Sequence, residues 1–205
     1  MHSSACVNNA TFHMKRKLWT KIVILCSFAF LLLNRINAQG GWQQFILTGY
    51  SLMDTASGDL NRDGKRDLLL VLKNDQEETS MDTTRPLLIL FGEETGSYQL
   101  FARNDSVVMC RGCGGVFGDP YQGLTVKNNF FSVEHYGGSN WRWSRIITFR
   151  YDVKTGQLLL HRDAGESFHV ENPNKSKPYA YTKEDYGKLP FSNYSYDKIW
   201  RNQTE

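Results

Sequence analysis

The strongest chemical signal lies in nine residues. Asp59, Asn61, Asp63, Gly64, Lys65 and Asp67 stand in the order D-x-N-x-D-G-K-x-D. Calcium takes about six to eight oxygens at ~2.3–2.6 Å, so a loop must curl tightly to supply them. Side-chain oxygens at positions 1, 3 and 5 of such a loop converge on one point. Gly64 permits the sharp turn. The carbonyl of Lys65 then faces the ion, and Asp67 closes the shell. Arg62, Arg66 and the Lys65 side chain point outward and do not compete with the cation. The loop is not an EF-hand. Its twelfth position is Leu70 rather than Glu, and it feeds an apolar strand rather than a helix. The plain alternative is an Asp/Asn-Gly turn with solvated acids, because the same residues favour turns.

Two further groups could do chemistry. Cys110 and Cys113 form a C-x-x-C followed by Gly114 and Gly115. A redox role needs the first thiol at a helix N-terminus, and glycines start helices poorly. A zinc role needs two more ligands, and His135, His161 and His169 lack ligand spacing. The preferred reading is a local disulfide bracing a Gly-rich loop. The second group is His135, Tyr136, Asn140, Trp141 and Trp143. As exposed residues they would form a platform for a sugar or peptide. As a strand pair, Trp141 and Trp143 share one face and pack in a core instead. No G-x-S-x-G, H-E-x-x-H or phosphate-cradling glycine loop occurs in the sequence.

The elements that must position these residues read as strands. Residues 67–72 and 87–91 are continuous apolar runs, short enough for buried strands. Residues 98–101 follow a turn at 94–97. Residues 130–136 alternate, and 145–151 are rich in β-formers. Residues 157–161 return across a hairpin loop at 152–156. Short turns and close spacing predict a mainly β fold with little helix. The expected form is an antiparallel meander, or a small sandwich or partial propeller-like sheet. Residues 172–178 read as a turn-rich linker. The Tyr-rich tail beyond, to residue 205, is expected to pack back on the 39–171 domain.

The segment 56–71 followed by 85–100 resembles one FG-GAP/VCBS-type repeat, of the kind found in small secreted or periplasmic bacterial proteins. That repeat runs from a calcium loop into a strand, then through a second strand to a Gly-rich turn. The resemblance implies Ca2+ ligation by Asp59, Asn61, Asp63 and Asp67. Such repeats usually recur in tandem to build propeller blades, and this sequence holds a single calcium loop.

The first 38 residues read as an address. A basic stretch at 14–21 precedes twelve uncharged residues at 22–33, and Ala38 offers a small residue for cleavage. Translation is expected to start at Met14 and the mature chain at Gln39. An uncleaved anchor is the alternative, although the run falls short of the ~20 residues of a spanning helix. Residues 1–38 hold five of the 24 basic residues and no acidic one. The other 167 residues therefore carry 19 basic against 21 acidic groups, a net charge of −2. That balance gives no electrostatic case for nucleic acid.

Together these features lead to a secreted or periplasmic calcium-binding domain with a binding or structural role. No membrane span is expected after cleavage, and the expected partner is a protein or carbohydrate. The rival is an extracytoplasmic enzyme, either a thiol oxidoreductase using Cys110 and Cys113 or a hydrolase.

Overall fold

Residues 41–197 are described by the structure, a computed structural model. The expected signal segment, the start at Met14, Gln39 and Trp200 lie outside the described residues. The chain is mainly β, in two antiparallel sheets that do not close into a ring. The first sheet holds β1 (Tyr50–Gly58), β2 (Asp67–Asn74), β3 (Arg85–Gly92) and β4 (Tyr98–Val108) in chain order. The second holds β5 (Tyr121–Lys127), β6 (Phe130–Gly138), β7 (Trp141–Asp152), β8 (Gln157–His169) and β9 (Lys177–Tyr181), again in chain order. Each sheet is thus a simple meander, as short turns between neighbours require.

The burial patterns follow from what covers each face. β2 and β3 are the central strands of the first sheet. One face packs Leu69, Val71, Leu87 and Ile89 against Phe131, Val133, Ile147 and Phe149 of the second sheet. The other packs Leu70, Leu72, Leu88 and Leu90 under Trp42, Phe45, Ile46 and Leu47. A strand covered on both sides reads as a continuous apolar run. The second sheet has one core face, so β6 alternates strictly.

The tail completes that core. β9 joins β8 as an edge strand, although Pro178 lies within it. An edge position tolerates proline because one side of the strand needs no ladder donor. Beyond a single helical turn, Lys183–Tyr186, the chain inserts Phe191 and Tyr194 into the interior. The Phe149 ring stacks on Phe131 at 5.1 Å and meets Phe191 and Tyr194 edge-on at 5.1 and 5.3 Å. Two polar anchors hold the segment. The Asn104 amide donates to the Phe191 and Tyr194 carbonyls at 2.6 and 2.8 Å. Arg145 and Asp163, both at 0% exposure, pair through Nε–Oδ1 at 2.8 Å and Nη2–Oδ2 at 2.5 Å. The Tyr194 hydroxyl donates to Asp163 at 2.8 Å, and Arg145 also reaches the Tyr196 carbonyl at 3.3 Å.

Removing one partner of such a pair leaves an uncompensated buried charge. Arg145→Ala is therefore expected to destabilise the fold by about 3–5 kcal/mol, read as a lower urea midpoint. Tyr194→Phe keeps the ring and removes one hydrogen bond, so a loss of about 1 kcal/mol is expected in the same measurement.

Candidate functional site

The 59–67 loop joins β1 to β2. Arg62 and Gly64 both have positive φ, 62° and 84°, and these two left-handed residues make the curl. The curl turns backbone amides toward the acidic side chains. Asp63 N–H donates to Asp59 Oδ1 and to Asn61 Oδ1, each at 3.0 Å. Gly64 N–H donates to Asp59 Oδ2 at 3.0 Å, and Lys65 N–H to Asp63 Oδ1 at 2.8 Å. These bonds fix where the oxygens of Asp59, Asn61 and Asp63 lie. Lys65 sends its ammonium to Glu94, 3.9 Å away, so it does not neutralise the loop. Asp59 and Asp63 have no ion-pair partner among the described residues.

Asp67 differs from the others. Its side chain is fully buried and binds backbone at three points. Oδ2 accepts from Leu60 N–H at 2.7 Å and Asn61 N–H at 3.2 Å, while Oδ1 accepts from Gly92 N–H at 3.1 Å. Burial pushes its carboxyl group up, and the three amides pull it down. Asp67 therefore ties the start of β2 both to its own loop and to the end of β3. A carboxylate has about four acceptor sites, and three are used here. Among the described residues no group of three or more His, Cys, Asp or Glu side chains is assembled for a metal. The loop also offers the Asn61 and backbone oxygens. It reaches the second sheet through Arg62, whose Nη2 donates to Asn129 Oδ1 at 3.1 Å. Asn129 is itself held by the Tyr151 carbonyl at 2.9 Å.

Cys110 and Cys113 lie at disulfide distance, with Cα atoms 5.2 Å apart. Cys110 caps the start of a single 3-10 turn, Arg111–Gly114, and Cys113 lies within it. That one turn ends at Gly115 and is no α-helix whose dipole could stabilise a thiolate.

The five aromatic-platform residues are divided between the two faces of the second sheet. His135 faces the core at 2% exposure, and its Nε2 accepts from Met109 N–H at 3.2 Å. Tyr136 faces the opposite way, its ring 6.0 Å from Phe117. Arg142 covers Phe117 at 3.7 Å on that same side. Trp143 pairs with Gly137, where an added Cβ would come within 2.6 Å of the indole. Trp141 is 53% exposed and meets His169 edge-on at 5.3 Å, with the Lys177 ammonium 5.8 Å from its ring. Asn140 sits in the exposed turn, and its carbonyl accepts from Val170 N–H at 2.9 Å.

Sequence reading missed two charged centres. Arg85, at 0% exposure, binds Glu77 at 2.9 and 3.0 Å, Asp119 at 2.7 Å twice, and the Met109 carbonyl at 3.3 Å. All its donors are used, and three loops meet on it. Arg145 is the second. Its signal was present, since residues 145, 147 and 149 alternate on one strand face with Ile147 and Phe149.

Comparison of the chain with protein-family models, with curated proteins and with solved structures finds no match.

Burial, with Arg145 and Arg85 nearby, holds the His135 imidazole down to about 3. The unfolded chain protonates this residue near pH 6.5 and the folded chain does not. Between those values the unfolded state binds the extra proton, so stability falls as pH drops from about 6.5 toward 3, by up to ~1.4 kcal/mol per pH unit. His135→Gln is expected to flatten that part of the stability–pH curve, measured by urea unfolding at stepped pH. An unchanged slope would remove His135 as its source.

Proposed function

We propose that the protein is a secreted or periplasmic calcium-binding β-rich domain with a binding or structural role, in which Ca2+ stabilises the fold. The observation that supports this most is the curled 59–67 loop, whose Asp59 and Asp63 carboxylates are oriented by amides and lack a cationic partner. Asp59, Asn61 and Asp63 would hold the ion through side-chain oxygens and Lys65 through its carbonyl. Asp67 would contribute its remaining acceptor site. Bound Ca2+ supplies positive charge where three carboxylates lie within nine residues, so binding and folding are linked. The ligand surface would be the exposed Trp141, with His169 and Lys177, facing a protein or carbohydrate. An indole with a cation beside it suits the apolar face and hydroxyls of a sugar.

A second reading is a thiol oxidoreductase, favoured by the C-x-x-C pair at disulfide distance. The single 3-10 turn beside it argues for a brace rather than a reactive thiol.

With free calcium tenfold above Kd, linkage adds about 1.4 kcal/mol of stability. Calcium is therefore expected to raise the melting temperature, and magnesium to do so poorly, since it demands a smaller octahedral shell. Asp63→Ala is expected to abolish the calcium-dependent rise, while Asp75→Ala, outside the loop, leaves it intact. Calorimetric melting with and without chelator checks this. A melting temperature indifferent to chelation would reduce the loop to an acidic turn.

A further inference from the structure

We infer that the outer side of the second sheet carries an anion site, built for a phosphate or sulfate group, where the β7–β8 hairpin meets residues 183–188. A cleft of about 170 Å³ opens there, lined by Arg150, His161, Lys183 and Lys188, with Asp152 as its one carboxylate and Leu159 beneath. The segment carrying the lysines is fixed to the sheet. Leu160 N–H donates to the Leu189 carbonyl at 2.8 Å, and Leu159 bridges to Pro190. One aromatic ring supports both Arg150 and His161. Phe130 meets His161 edge-on at 5.0 Å and carries the Arg150 guanidinium 5.8 Å from its centre.

Arg150, Lys183 and Lys188 have no ion-pair partner among the described residues. Asp152 is the one counter-charge in the lining; Thr155, the Lys154 amide at 3.1 Å and the nearby Arg150 hold its carboxyl below the ordinary value, and it cannot balance three permanent cations. Burial, and after it the charges of Arg150 and Arg162, hold the His161 imidazole below its ordinary value. Elsewhere in the structure, buried guanidinium groups sit on carboxylates. Here three permanent cations share one concavity with a single carboxylate. A tetrahedral oxyanion suits them better than a carboxylate, since it offers three free oxygens to an arginine fork and two ammonium groups. Phosphate and sulfate esters share that chemistry.

The test titrates the full chain separately with inorganic phosphate, sulfate and acetate, following the His161 imidazole by NMR and the heat by calorimetry. Saturable shifts with phosphate or sulfate are expected, and acetate should bind more weakly. The bound dianion should raise the His161 pKa against the field of Arg150, Arg162, Lys183 and Lys188, with Asp152 acting in the same direction as the anion. Tighter phosphate binding would point to a phosphate ester, and tighter sulfate binding to a sulfate ester. Lys183→Gln/Lys188→Gln, both exposed, should weaken binding about tenfold while the circular dichroism is unchanged. Lys175→Gln, in a turn away from the cleft, should bind as the parent does. Absence of saturable shifts at millimolar anion, acetate binding as tight as phosphate and sulfate, or equal binding by the double variant would overturn the assignment.

Discussion

The second sheet is organised around a charge that has nowhere else to go. Arg145 enters a core-facing position of β7, among Ile147 and Phe149, with no access to water. An unpaired guanidinium there would cost several kcal/mol, so everything near it must supply acceptors. Asp163 does so from β8, the next strand. The remaining acceptors come from Tyr194 and the Tyr196 carbonyl, more than thirty residues further along the chain. Satisfying one arginine thus fixes the β7–β8 register and recruits the tail. The Phe191 and Tyr194 rings then fill the aromatic core beside Phe149.

Arg85 solves the same problem at the other junction. It gathers the loop after β2, the end of β4 and the loop entering β5 through Glu77, Met109 and Asp119. His135 contributes to the same region by accepting the Met109 amide, which it can do only as a neutral imidazole. Several contacts join the two sheets, among them the Tyr121 hydroxyl of β5, which donates to Asp54 of β1 at 2.8 Å. There is also a shared apolar core, a buried ionic junction at Arg85, and the Arg62–Asn129 bond from the acidic loop. The last of these places the 59–67 loop where its order bears on both sheets.

What the sequence disclosed, and what it hid, follows from burial. β2 and β3 were legible because both their faces are covered, which leaves an uninterrupted apolar run. β6, the core of β7, and both hairpin turns were legible from alternation and from turn residues such as Gly156. β1 and β5 escaped notice. Their residues are half-buried edge types, and Gly58 and Gly123 weaken any strand signal. β9 was hidden by Pro178, read as part of a linker. The aromatic group is divided for a geometric reason. His135 and Tyr136 are adjacent in sequence, and adjacency on a strand puts them on opposite faces. The pairing of Trp141 with His169 and of Arg85 with Asp119 depends on long-range register, which no local pattern encodes.

The Asn104 anchor has a consequence for the order in which the molecule can form. Its amide holds carbonyls 87 and 90 residues downstream, and no local contact substitutes for them. A chain that has been synthesised only as far as β8 has both hairpin systems but an open core, with the Asn104 amide unpaired and the Arg145–Asp163 pair lacking its partners from the tail. Contacts of that sequence separation form slowly, because loop closure must precede the energy they return. The fold is thus gated late. A nascent chain lacks these contacts until residue 194 is available.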